Sequence, residues 1–98
     1  MRAVMVTAKG DPSVLDARSI DAPEISGDNQ VLVRIAAAGV NPIDTKVRAG
    51  NLFGAELPFI PGCDACGTVV ETGAAVKNVK PGDMVWYCHG GLGLAQGN

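Results

Sequence analysis

Aromatic residues are scarce in this chain of 98: Phe53, Phe59, Trp86 and Tyr87 are all it has. A core must therefore be built from Val, Ala, Leu, Ile and Met. No apolar run reaches the length of a membrane-spanning helix and no signal-peptide pattern is present, so no membrane role is expected. Charge of one sign is lacking too. Eight Lys and Arg stand against ten Asp and Glu, a net charge of −2, and the basic residues are scattered. That leaves no electrostatic footprint for nucleic acid or an anionic membrane. Cysteines number three, an odd count that argues against a secreted disulfide framework and for a reducing cytoplasm. The only histidine, His89, has no second ligand pattern around it and reads as a solvated loop residue rather than a base or metal ligand.

A hydrophobic content of 47% fits a folded domain rather than a disordered chain, and the length suits one small domain. Its strongest stretch is 57–73. Pro58 and Pro61 remove backbone donors and exclude a helix or a central strand there. Gly62 after Pro61 marks a turn, and a Val- and Thr-rich strand follows over 66–72. Cys63, Asp64 and Cys66 thus sit at a turn feeding a strand, where polar groups can meet the rim of a scaffold.

Along the chain, residues 2–7 read as a first strand, closed by the turn chemistry of Lys9, Gly10, Asp11 and Pro12. Residues 14–20 are a second, weakly marked strand, and 21–29 a loop. Residues 30–38 are the clearest strand: Val31, Val33 and Ile35 alternate with Leu32 and Arg34, which predicts one buried face and one partly wet face. A short helix over 42–49 carries its own signals. Asn41 fits the N-cap, Pro42 the first helical position, and Gly50 the C-terminal stop. Asp44, three residues after Asn41, can reach back to orphan amides. Residues 81–83 are a tight turn into a last strand over 84–88, on which Trp86 and Tyr87 divide between core and surface. Strands at this spacing predict an antiparallel, mainly β domain, with nothing that reads as a dinucleotide-binding fold.

Several features invite chemistry. The pair Cys63 and Cys66 has metal-ligand or redox spacing. A structural zinc needs a second pair, however, and Cys88 and His89 are adjacent on a strand and point to opposite faces. A redox pair normally opens a helix, whereas this one opens a strand. Two small buried thiols are the expected reading. The glycine-rich run 90–97 lacks the following helix and acidic residue of a phosphate loop. Asn41 and Asp44 are fully explained as helix caps. The alternative is that Asn41, at a strand-to-helix turn, faces a cleft and hydrogen-bonds a substrate carbonyl.

Taken together, Gly39 to Asp44, then Arg48, Ala49 and Gly50, then the run P-F-I-P-G-x-D-x-x-G-x-V starting at Pro58, then Gly73, then G-D-x-V from Gly82, resemble one family. This is the N-terminal part of the medium-chain dehydrogenase/reductase superfamily, in its zinc-independent quinone oxidoreductase branch. The resemblance covers nearly the whole chain. It implies an incomplete GroES-like β-barrel spanning 1–98, forming one wall of a cleft. The other wall would be a Rossmann domain that binds NADPH, which this chain does not contain. It also implies a parent enzyme that passes hydride to a quinone or to the activated C=C of an enone, as a cytoplasmic homodimer or homotetramer. Asn41 would contact substrate and nicotinamide, Asp44 would support that turn, and the loop 51–56 would help shape the substrate pocket. Zinc enzymes of the superfamily carry a cysteine where this chain has Asn41, and a histidine and glutamate where it has Cys63 and Asp64. The four-cysteine structural-zinc loop is missing as well, so no zinc is expected. A chain of this extent is expected to be inactive alone. The competing expectation is a free-standing GroES-like binding module without catalysis.

Overall fold

A computed structural model describes residues 1–50 and 56–88; 51–55 of the expected pocket loop, His89 and the glycine-rich run 90–97 lie outside them. Strand β1 (Arg2–Val6) pairs antiparallel with β2 (Leu15–Ser19), from Arg2 opposite Ser19 to Val6 opposite Leu15. β2 begins one residue later than expected, because Asp11 and Pro12 set up a single 3₁₀ turn over Pro12–Val14. The Asp11 carboxylate accepts the Ser13 amide at 2.9 Å, and Pro12 supplies the φ the turn needs. A second sheet has the order β3 (Val31–Ala38), β4 (Ala65–Thr72), β5 (Met84–Tyr87), all antiparallel. Helix α1 (Pro42–Ala49) lies between β3 and β4 in sequence, at the expected bounds. Among the described residues the strands form these two separate sheets and no closed barrel. The mainly β, unclosed architecture with one short helix is the one expected.

Val6 and Phe59 join the first sheet to the proline-rich stretch. Each donates its amide to the other's carbonyl, at 2.8 and 3.2 Å. The same two residues form the centre of the core with Val47 of α1, and Val14 and Ile43 pack against them. A two-turn helix is too short to persist alone, so this apolar seat for Ile43 and Val47 is what keeps α1 folded. The second sheet is stitched to the 27–30 turn by Gly73, whose amide donates to the Gln30 carbonyl at 2.7 Å, and by Ala75, which donates to Asp28 at 2.9 Å.

Two expectations need correction. The buried face predicted for β3 is not buried: Val31 is 37% and Ile35 47% exposed. Val31, Val33 and Ile35 line a wide open depression rather than a packed interface, so this side of the strand stays accessible; the register shifts against β4 place extra residues at Val70 of β4 and at Ala36, past Ile35. The thiol pair expected to be buried is split. Cys63 is buried, while Cys66 is only partly so and Cys88 is exposed. On β5, Trp86 turns out to be the surface residue, at 78% exposure, and Tyr87 is half-buried. Burial raises the Tyr87 phenol above the ordinary tyrosine pKa.

Candidate functional site

The site forms where β3 ends. One residue past β3, the Gly39 amide donates to the Asp64 carbonyl at 2.9 Å, so the turn leading to α1 lies against the turn leading to β4. Asn41 follows in extended conformation (φ −123°, ψ 161°) as the N-cap. Its backbone amide is one of the orphan donors of a helix start, and Asp44 Oδ2 accepts it at 2.7 Å. The Asp44 amide donates to the Asn41 carbonyl at 3.0 Å. The carboxylate in the first turn also complements the positive end of the helix dipole. The capping role predicted for Asp44 is therefore observed directly.

Asn41's side chain has a different task. Its Nδ2 donates to Asp64 Oδ2 at 2.6 Å, across a separation of 23 residues. On the other side of the cap, the Cys63 thiol lies 3.6 Å from Asp44 Oδ1 and donates to it. The four residues form a row: Asp64 to Asn41, Asn41 to Asp44, Asp44 to Cys63. Cys63 is buried, while Asn41, Asp44 and Asp64 are half-buried, so the row runs from the interior to an accessible edge. The bonds to Asn41 are charge-assisted and shorter than the ordinary N–H to O distance, which suits a rigid polar turn.

Asp64 borders two depressions. A shallow apolar recess of about 470 Å³ is lined by Ala38, Asp64, Cys66, Trp86 and Tyr87, among others. A wider trough of about 1200 Å³ runs along the exposed face of the second sheet, past Val33, Ile35, Val70 and Val85. The polar row thus stands beside apolar surface, the arrangement in which a few donors can orient a mostly apolar ligand.

Among the described residues no three His, Cys, Asp or Glu side chains gather as metal ligands. The donor set does not suit a dinucleotide's phosphates either. The N-terminus of α1 is already occupied by the Asp44 carboxylate. Both residues singled out from sequence, Asn41 and Asp44, fall in this row. From sequence Asp64 is placed only at a turn on the scaffold rim, with a weak zinc-ligand reading, because its bond to Asn41 exists only once two distant turns meet. The one available signal was its position within the strongest motif.

Comparison with known proteins gives a consistent result. The alcohol dehydrogenase GroES-like domain family matches residues 27–97. Quinone oxidoreductase of Lama guanicoe is 40% identical over 87 residues, covering 88% of this chain and 26% of the relative. The chloroplastic NADPH-dependent alkenal/one oxidoreductase of Arabidopsis thaliana is 43% identical over 89 residues, covering 88% of this chain and 23% of the relative. The crystal structure of Escherichia coli quinone oxidoreductase complexed with NADPH superposes with a TM-score of 0.86 at 34% identity, covering 94% of this chain and 28% of that one. The chain spans about a quarter of the length of the curated relatives it matches.

Proposed function

The chain belongs to the alcohol dehydrogenase GroES-like domain family, and on that footing we propose that it is the N-terminal, cleft-forming domain of a zinc-independent, NADPH-dependent reductase. The substrate is a quinone or an enone with an activated C=C. The relatives named quinone oxidoreductase and alkenal/one oxidoreductase support this substrate class, and the NADPH-bound structure supports the cofactor. In this reading a Rossmann domain elsewhere in the parent holds most of the NADPH, and the parent is a cytoplasmic homodimer or homotetramer. Among the described residues no helix is long and apolar enough to cross a membrane.

The observation that carries the proposal is the amide of Asn41 at the strand-to-helix turn, held by Asp64, which itself lines an apolar recess. NADPH, when bound, supplies the hydride. The chain's own part is to exclude water with its apolar surface and to direct polar groups at the position where charge develops. A quinone carbonyl or enone oxygen gains negative charge as its conjugated system accepts the hydride. An Asn41 Nδ2 hydrogen directed at that oxygen stabilises the charge in place of water, and a solvent proton completes the reduction. Asp44 contributes by holding the Asn41 backbone still.

The test uses the natural gene product. Its intact mass should exceed this chain by roughly a further 200 residues, about one more domain. It should bind NADPH and turn over a simple quinone. Asn41→Ala should lower kcat about 100-fold, the usual effect of losing one donor to a developing oxyanion, with its circular dichroism retained and its melting temperature lowered only by as much as the loss of one helix cap explains. The 98-residue chain alone should bind no NADPH. A natural product that ends near Asn98 removes the catalytic reading and leaves a binding module, and unaltered kinetics on losing Asn41 remove Asn41 from the site.

A further inference from the structure

We propose that Asp64 is the positioning residue for the Asn41 amide, an inference that rests on the reductase reading above. An asparagine amide has two unlike ends, an acceptor oxygen and a nitrogen carrying two hydrogens, and rotation about its last bond exchanges them. A turn that must offer a donor to a substrate oxygen needs that choice made in advance. An ionised carboxylate only accepts, so Asp64 Oδ2 at 2.6 Å admits the Nδ2 end and rejects the oxygen. One Nδ2 hydrogen is then spent on Asp64 and the second is held in a defined direction in the amide plane.

Asp64 is itself anchored. Its carbonyl accepts the Gly39 amide at 2.9 Å, two residues before Asn41, so donor and acceptor are locked to the same pair of turns. The two carboxylates around Asn41 divide the work. Asp44 takes the backbone amide and sets the helix start, while Asp64 takes the side chain and sets its sense. Removing Asp64 leaves the bond from the Asn41 backbone amide to Asp44 intact and takes away the carboxylate that holds Nδ2. Asp64 therefore acts through Asn41, and its loss should appear in kcat rather than in NADPH binding.

Two readouts in the full-length gene product test this. The first is independent of activity: ¹⁵N-asparagine labelling, with the Asn41 side-chain signal identified by its loss in Asn41→Ala. In the unaltered protein its two amide protons should be well separated and slow to exchange. Asp64→Ala, and the isosteric Asp64→Asn if the alanine variant folds poorly, should move this signal towards those of exposed asparagines. The second is a double-mutant cycle. Asp64→Ala should lower kcat about 10-fold or more, since a misdirected group loses much of its effect, with KM for NADPH within about twofold. In the Asn41→Ala background the same change should cost little further, because the residue it positions is gone. An Asn41 signal unmoved by either Asp64 variant, or rate losses that simply multiply, overturns the proposal. If the unaltered gene product shows no NADPH-linked quinone turnover, the reductase reading fails instead, and the amide signal still decides whether Asp64 holds Asn41.

Discussion

Gly67 shows how a single missing atom shapes the second sheet. A Cβ built there would collide with the Arg34 carbonyl oxygen and lie 3.0 Å from the Ile35 Cα, both backbone atoms of β3. The neighbour cannot rotate away as a side chain would, so Gly67→Ala must push β3 and β4 apart. We expect a loss of about 1–3 kcal/mol, the usual range for overpacking, measured by denaturant unfolding of the gene product. A melt as stable as the parent's would show that the strands can separate at no cost. Two exposed aspartates act through charge instead. Asp83 is lowered below its ordinary value of 3.8 chiefly by the Lys80 side chain and then by the Lys80 amide, which donates at 3.0 Å. Asp11 is lowered by the Ser13 hydroxyl and amide. A depressed carboxylate contributes stability above its unfolded pKa and loses it as pH falls through its folded pKa. Both turns should therefore loosen only on acidification below about pH 3.8. Carbon-detected titration of these two carboxyls should give midpoints under that value, and a midpoint above it for Asp83 would remove the Lys80 contact.

At the scale of elements, α1 is the dependent one. Its eight residues sit between an N-cap held by Asp44 and a stop at Gly50, whose φ of 140° favours glycine. Only Val47 is fully buried, with Ile43 packed beside it. Asp44→Ala removes the bond to the Asn41 amide and the acceptor of the Cys63 thiol, and should cost about 1 kcal/mol, as cap losses do. The loss should be read as faster amide exchange confined to the first turn of α1. Exchange spread evenly over both sheets would mean that Asp44 is a general stabiliser rather than a cap. Because the same turn orients Asn41, the Asp44→Ala variant should also lose quinone reduction more steeply than its stability change explains.

Over the whole molecule, the core is small for the apolar surface left outside it. Val6, Val47, Phe59, Cys63 and Val69 are the buried apolar residues among those described, while Trp86, Met84 and Ile35 are 78%, 71% and 47% exposed. Met84 and Trp86 belong to β5, which pairs with β4 on one side and with no other described strand. An unpaired apolar edge is a template for another chain. The 98-residue polypeptide should therefore associate in a concentration-dependent way, with a broad melt, by light scattering and calorimetry. Trp86 is the only tryptophan, so its fluorescence reports on this surface. It should resemble a water-exposed indole in dilute solution and shift to the blue on association, and Trp86→Ser should weaken the association. A sharp, monomeric, cooperative transition at all concentrations would show that the edge is harmless.

Local chemistry made much of this legible from the chain alone. The bounds of α1 follow from Asn41, Pro42, Asp44 and Gly50, because caps and stops act within one turn of the residues that carry them. The strands over 65–72 and 84–87 follow from Val and Thr content between glycine- and proline-marked turns. What the sequence could not determine depends on contacts between distant segments. Whether the Val31 and Ile35 side of β3 is buried depends on what packs over it, so alternation alone predicted a buried face that does not exist. Whether Trp86 or Tyr87 lies outward, and whether Cys66 is buried with Cys63, depends on which face of the sheet is covered. The bond from Asn41 to Asp64 spans 23 residues and forms only when Gly39 ties the two turns together. Capping, turns and propensity act between near neighbours and can be read in order along the chain. Register, burial and the side-chain partner of Asn41 are set by which surfaces meet in space, and only the tertiary structure decides that.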